Sequence, residues 1–175
     1  MQKESVQQEN HSWLRTVTIG RNPKVTLIRV AVLVVVCTVL FKYVLLPIRV
    51  EGPSMLPTYK ENSVNVINRL AYRNSEPKRG DVVAVRYSGA SMMLMKRVVA
   101  LPGETIEFVN GRVLINGRFL DEPYLKNPCD WNVKPDHSTM RDDEYYVVGD
   151  NRSMPYNLHD KGGAKRERII GKVML

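Results

Sequence analysis

From residue 25 to residue 48 the chain reads VTLIRVAVLVVVCTVLFKYVLLPI, an almost unbroken apolar run with Arg29 near its start and Lys42 near its end. No polar stripe recurs every three to four residues, so this is not the pattern of an amphipathic helix lying on a soluble core. At about 1.5 Å per residue, a helix of this length crosses a hydrocarbon layer of about 30 Å, and both charges can snorkel to the interfaces. The run leads into LLPIRVEGP without an A-x-A cleavage pattern, as expected of a retained anchor rather than a removed leader.

Beyond residue 48 the pattern changes. The stretches DVVAVRY (81–87), MMLMKRVVAL (92–101), TIEFV (105–109), RVLI (112–115), EYYVV (144–148) and RIIGKVML (168–175) are rich in β-branched and aromatic residues and are separated by turn formers. Asn110-Gly111 and Asn116-Gly117 are hairpin signals. No capped helical period follows the apolar run, so the expected fold is mainly β, with antiparallel sheets preceded by one N-terminal transmembrane helix. Residues 121–143 carry three prolines and little periodicity, which predicts a loop or small insertion; Trp131 within it suits a satellite core or a binding edge. The expected division is a tail over 1–24, an anchor over 25–48 and a β-rich domain over 49–175.

Charge sets the orientation. Lys3, Arg15, Arg21 and Lys24 precede the apolar run, so the tail is expected in the cytoplasm and everything after the anchor on the far side of the cell membrane. The net charge is +8 over 175 residues, but from Val50 onward nineteen Lys/Arg face sixteen Asp/Glu, only +3. A nucleic-acid partner is therefore not expected, whereas membrane lipid is. Cys37 falls in the apolar run and Cys129 beyond it, and no C-x-x-C or Cys/His spacing suggests a metal.

Two residues stand in settings that suit chemistry. Ser54 lies in GPSMLPT (52–58), where Gly52, Pro53 and Pro57 fix a tight backbone. That suits a nucleophile whose amide also faces a substrate carbonyl, and it suits a plain turn equally well. Lys96 lies in a strand whose alternation puts Leu94, Lys96, Val98 and Ala100 on one face and Met95, Arg97 and Val99 on the other. At an ordinary pKa of about 10.4, roughly one lysine in a few thousand is neutral at pH 7, so burial is a condition for Lys96 to act as a base. A snorkelling surface lysine fits the same pattern. A Ser-His-Asp arrangement using His137 or His159 also stays open on spacing alone, while His11 sits in the tail.

Taken in order, the anchor, GPSMLPT, RGDVVAV (79–85), MKRVVALPGE (95–104) and VVGDNR (147–152) closely resemble the type I signal peptidases. These are membrane-bound Ser-Lys endopeptidases that remove signal peptides from exported preproteins, and the resemblance runs from the anchor to the last strand. It implies that Ser54 is the nucleophile and Lys96 the general base. It further implies a signal-peptidase-like β catalytic domain against the outer face of the membrane, no cofactor, no metal, and a preprotein substrate with small residues one and three positions before the cut. Asp150 and Arg152 match structural positions.

Two departures stand out. Gly52 occupies a position where some members carry a hydroxyl, and Pro155 and Asn157 stand where Ser and Asp are expected after GDNR, leaving Ser153 as a candidate to orient Lys96. Two other functions compete. A repressor-type Ser-Lys self-cleaving protease would need a DNA-binding helix-turn-helix or cleavable linker upstream, where this chain has an apolar run. In a membrane-anchored, non-catalytic β-domain binding protein, Ser54 is a turn residue and Lys96 a surface one.

Overall fold

The computed structural model describes residues 22–87, 93–126, 129–159 and 162–174, in a chain that divides into two compact units, Met1–Lys42 and Tyr43–Leu175. Helix α1 (Pro23–Val39) starts at Asn22, whose side chain accepts the Lys24 N–H at 3.2 Å, with Pro23 in the first turn where its missing N–H costs nothing. A short π-helical stretch, Leu40–Val44, follows. Together Pro23–Val44 are 22 residues, long and apolar enough to cross a membrane, and none of this helix is buried against protein.

The apolar run read as an anchor over 25–48 ends four residues earlier as helix. Residues 45–48 belong instead to strand β1 (Leu45–Arg49). Pro47 accounts for the break, since it cannot donate to a helical ladder but is tolerated in a strand at a sheet edge, which is where β1 lies.

The second unit is built on antiparallel strands. β2 (Val64–Asn68), β3 (Val82–Arg86), β4 (Met93–Ala100), β8 (Glu144–Val148), β9 (Gly162–Lys165) and β10 (Ile169–Met174) join β1 in one sheet, ordered β1-β2-β10-β3-β4-β8-β9. A second sheet, β5-β6-β7, is formed by β5 (Ile106–Val109), β6 (Arg112–Ile115) and β7 (Arg118–Phe119). Asn110 and Gly111, then Asn116 and Gly117, take positive φ of 49°, 75°, 51° and 76°, the conformation that two-residue hairpin turns require.

Along β3, Val82 and Ala84 enter one core cluster with Met55, Ile67 and Met95, while Val83 and Val85 enter another with Val98, Tyr145 and Ile169. The sheet is thus covered on both faces at its centre, which is why VVAVR reads as a continuous apolar run rather than an alternation. β4 lies between β3 and β8 and is buried from Met95 through Ala100, so it carries Lys96 through the protein interior.

The described residues of 121–143 are tied to β5 and the residue before it by bridges from Val133 to Phe108 and from Thr139 to Thr105. Trp131 is a core residue, 3% exposed, meeting Phe108 edge-on at 5.3 Å. Cys129 packs beside this cluster, where burial pushes its thiol pKa up.

Candidate active site

The segment that carries Ser54 is folded by its own backbone. Val50 and residues 62–63 exchange hydrogen bonds, the Val50 N–H donating to Ser63 O at 2.9 Å and the Asn62 N–H to Val50 O at 2.8 Å. Gly52 then turns the chain at φ 83°, in the left-handed region that side chains other than glycine's rarely adopt. Residues Pro53–Met55 form one 3-10 turn, closed by the Leu56 N–H on Pro53 O at 3.0 Å. Met55, 1% exposed, plugs this turn into the core beside Ala84 and Met95. Gly52 is therefore explained by backbone conformation, and the turn offers no side-chain hydroxyl there.

Ser54 and Lys96, 42 positions apart in sequence, meet. Lys96 Nζ donates to Ser54 Oγ at 2.8 Å, and Lys96 is 1% exposed. The neighbouring Arg97 guanidinium forms a two-pronged pair with Asp150, Nε to Oδ1 at 2.8 Å and Nη2 to Oδ2 at 2.6 Å, while Thr58 Oγ1 donates to Oδ2 at 2.6 Å. Burial works against the Arg97 charge, but the bonds to Asp150 and its charge outweigh it and hold the guanidinium pKa above its ordinary value.

The turn after β8 grips the nucleophile segment from its backbone. The Asn151 N–H donates to Ser54 O at 3.0 Å, and Asn151 Nδ2 to Pro53 O at 3.1 Å. Arg152, fully buried, donates to Gly149 O at 2.9 Å and to Glu122 Oε1 at 2.8 Å. Glu122 also accepts from Tyr124 OH at 2.6 Å, and the Tyr124 ring lies 3.9 Å from the Arg97 guanidinium. The 121–143 segment thus closes a chain of contacts back to the residue beside Lys96.

The histidines stand elsewhere. His137 is exposed, and His159 is buried with Nε2 at 2.8 Å from Asn151 O. Because a carbonyl only accepts, that nitrogen carries a proton, so it is a donor to backbone rather than a base poised on Ser54. Ser153, weighed above as the group orienting Lys96, donates to Asn151 Oδ1 at 2.6 Å instead. Among the described residues no group of three or more His, Cys, Asp or Glu side chains could hold a metal ion.

A cleft of about 310 Å³ opens beside Ser54, its lining mixing apolar side chains such as Val50, Met55 and Met95 with the charged Arg49 and Glu51. β4 pairs with β3 along residues 93–97, but its pairing with β8 begins only at Arg97. Among the described residues, 93–96 have no strand partner on the β8 side of β4.

The family model described as signal peptidase, peptidase S26, matches residues 24–175. The chain belongs to the S26 signal peptidase family. Signal peptidase I of Leptolyngbya laminosa is 35% identical, the match covering 72% of this chain and 65% of that protein; the chain spans a little under two thirds of that relative's length. Signal peptidase IB of Staphylococcus aureus is 28% identical over 84% of this chain and 85% of its own. A solved signal peptidase I from Enterococcus faecalis matches at a TM-score of 0.47 and 24% identity, covering 57% of this chain and 98% of that one.

Pro155 and Asn157, at the positions where Ser and Asp were expected, are both exposed, Pro155 leading into a 3-10 turn at Tyr156–Leu158. The 149–154 turn is held by Arg152 on Gly149 O, His159 on Asn151 O and Trp131 on Met154 O. Gly149 lies in the VVGDNR stretch, but no motif signal in the sequence announces that His159 bonds to the Asn151 carbonyl behind the Ser54 segment.

Proposed function

We propose that this chain is a membrane-held serine endopeptidase that removes N-terminal signal peptides from exported preproteins, with Ser54 as nucleophile and Lys96 as general base. The observation that carries the reading is the 2.8 Å contact between Lys96 Nζ and Ser54 Oγ with the amine in the interior. Desolvation disfavours the ammonium form, which is the direction a lysine base requires.

Neutral Lys96 takes the Ser54 proton as Oγ attacks the scissile carbonyl, then returns it to the departing amine of the mature protein. The signal peptide remains as an ester on Ser54. Lys96 next takes a proton from water, the resulting hydroxide attacks the ester, and Ser54 regains its proton as the peptide carboxylate leaves. The oxyanion needs donors, and with glycine at position 52 the Ser54 backbone N–H carries that task without side-chain help from there.

An extended substrate is expected to lie along the open edge of residues 93–96, taking main-chain hydrogen bonds from β4. Its side chains near the cut would enter the cleft, where Val50, Met55 and Met95 give apolar contact and Arg49 and Glu51 also contribute to the lining. α1 and the stretch after it would sit in lipid. The basic tail, which lies almost wholly outside the described residues, would remain in the cytoplasm and the β unit outside it.

The test uses full-length protein in detergent with a preprotein, comparing the parent with Ser54→Ala and Lys96→Ala. The parent is expected to cut at the signal junction, and each variant to lose about three orders of magnitude or more in kcat. A Lys96→Ala protein working at a rate near the parent's would remove the lysine from the mechanism.

A further inference from the structure

The 149–154 turn holds the Ser54 segment, and one residue beyond that turn holds it in place. Asn151 grips both Pro53 O and Ser54 O, and its side-chain amide is oriented by Ser153, whose hydroxyl donates to Oδ1. The Asn151 carbonyl in turn receives the His159 Nε2–H at 2.8 Å. The His159 ring is 3% exposed and lies edge-on to Trp131 at 5.0 Å, while Trp131 Nε1 donates to Met154 O at 2.9 Å. Between ring and nucleophile segment stands Gly149. A Cβ added there would fall 2.2 Å from Ser54 O and 2.6 Å from His159 Cε1, so only glycine admits both.

We propose that His159 is a positioning residue for the nucleophile: through Asn151 it fixes the backbone of Pro53 and Ser54 so that Ser54 Oγ stays within reach of Lys96. The inference rests on the reading of Ser54 and Lys96 as the reacting pair. Its physical basis is that two of the hydrogen bonds anchoring the nucleophile segment come from a single asparagine, whose own carbonyl is tied to an aromatic cluster by the imidazole. Displacement of a reacting group by about 1 Å costs on the order of a hundredfold in rate. His159 thus supports the 149–154 turn from behind, while Pro155 and Asn157 in the stretch between are exposed. The 121–143 segment contributes as well, because Trp131 braces both His159 and Met154.

The test compares His159→Gln, which keeps an N–H donor able to reach Asn151 O, with His159→Leu, which keeps bulk but no donor. The measurements, on full-length protein in detergent, are kcat and KM on a preprotein, the melting temperature, and hydrogen exchange of the 149–154 backbone. His159→Leu is expected to lose about 10- to 100-fold in kcat with KM within about twofold, and to exchange faster at Asn151. His159→Gln is expected to recover to within about fivefold of the parent. The proposal is overturned by an unchanged kcat in His159→Leu. It is equally overturned if both variants lose activity alike in step with their melting temperatures, which marks a purely structural histidine. Should the parent cleave no preprotein, the peptidase reading falls on its own and exchange alone decides. Faster exchange in His159→Leu than in His159→Gln then supports the clamp, and equal exchange in all three proteins overturns it.

Discussion

Asp150 receives three hydrogen bonds where water does not reach, two from Arg97 and one from Thr58. Its side chain is fully covered, and that of Arg97 is 10% exposed. Such a pair is not by itself evidence of stability, because desolvating both charges offsets much of their attraction, but breaking it strands a buried charge. Asp150→Ala is expected to destabilise the protein by about 3–5 kcal/mol, read from thermal or denaturant unfolding in detergent; a loss under about 1 kcal/mol would contradict the account. At this scale the sequence was uneven in what it disclosed. Ser54 and Lys96 stood out because a proline-bracketed serine and a lysine in an apolar strand are chemically odd, and the family resemblance joined them. His159 could be named only as a candidate base, and its actual partner, the Asn151 carbonyl, is a backbone atom that no side-chain pattern records.

At the scale of elements, the RGDVVAV and LPGE stretches are joined by side chains of the turns before β3 and after β4. Arg79 bonds to Glu104 and to the carbonyl of Val99, and Asp81 collects the Tyr72 hydroxyl at 2.9 Å, the Lys78 N–H at 3.0 Å and Lys172 Nζ of β10 at 2.6 Å. Burial alone would push the Asp81 carboxyl up, but the bonds from Lys172, Lys78 and Tyr72 outweigh it and hold its pKa below the ordinary value. A group lowered in the folded state stabilises above its unfolded pKa of about 4 and loses that contribution as pH falls through the folded value. Melting temperature against pH is therefore expected to drop more steeply below about pH 4 for the parent than for Asp81→Asn; parallel curves would sink this assignment. Strands with β-branched runs or Asn-Gly turns, such as β3, β5 and β6, were legible in the sequence. β1, β2 and β9 were not, since Pro47, the asparagines at 65 and 68, and the glycines at 162 and 163 are poor strand formers that neighbouring strands override.

For the whole molecule, the decisive property is that a sheet covered on both faces carries a lysine through its interior and ends its pairing where the cleft begins. Composition pointed to a membrane span and a near-neutral β unit, and the fold class follows those patterns. The placement of Ser54 against Lys96 comes instead from the register of β4 with β8 together with the Asn151 bonds that hold the Ser54 segment, long-range properties that hydrophobic pattern alone does not encode. The proposal that unites these levels is that Lys96, a buried lysine, acts as a base in its neutral form. Its most direct test is the pH dependence of kcat/KM for preprotein cleavage, which reports ionisation of the free enzyme. A base must lose its proton to act, so the rate should rise with pH and level off at an apparent pKa well below the ordinary lysine value of about 10.4. A rate still climbing beyond about pH 10 would contradict the account.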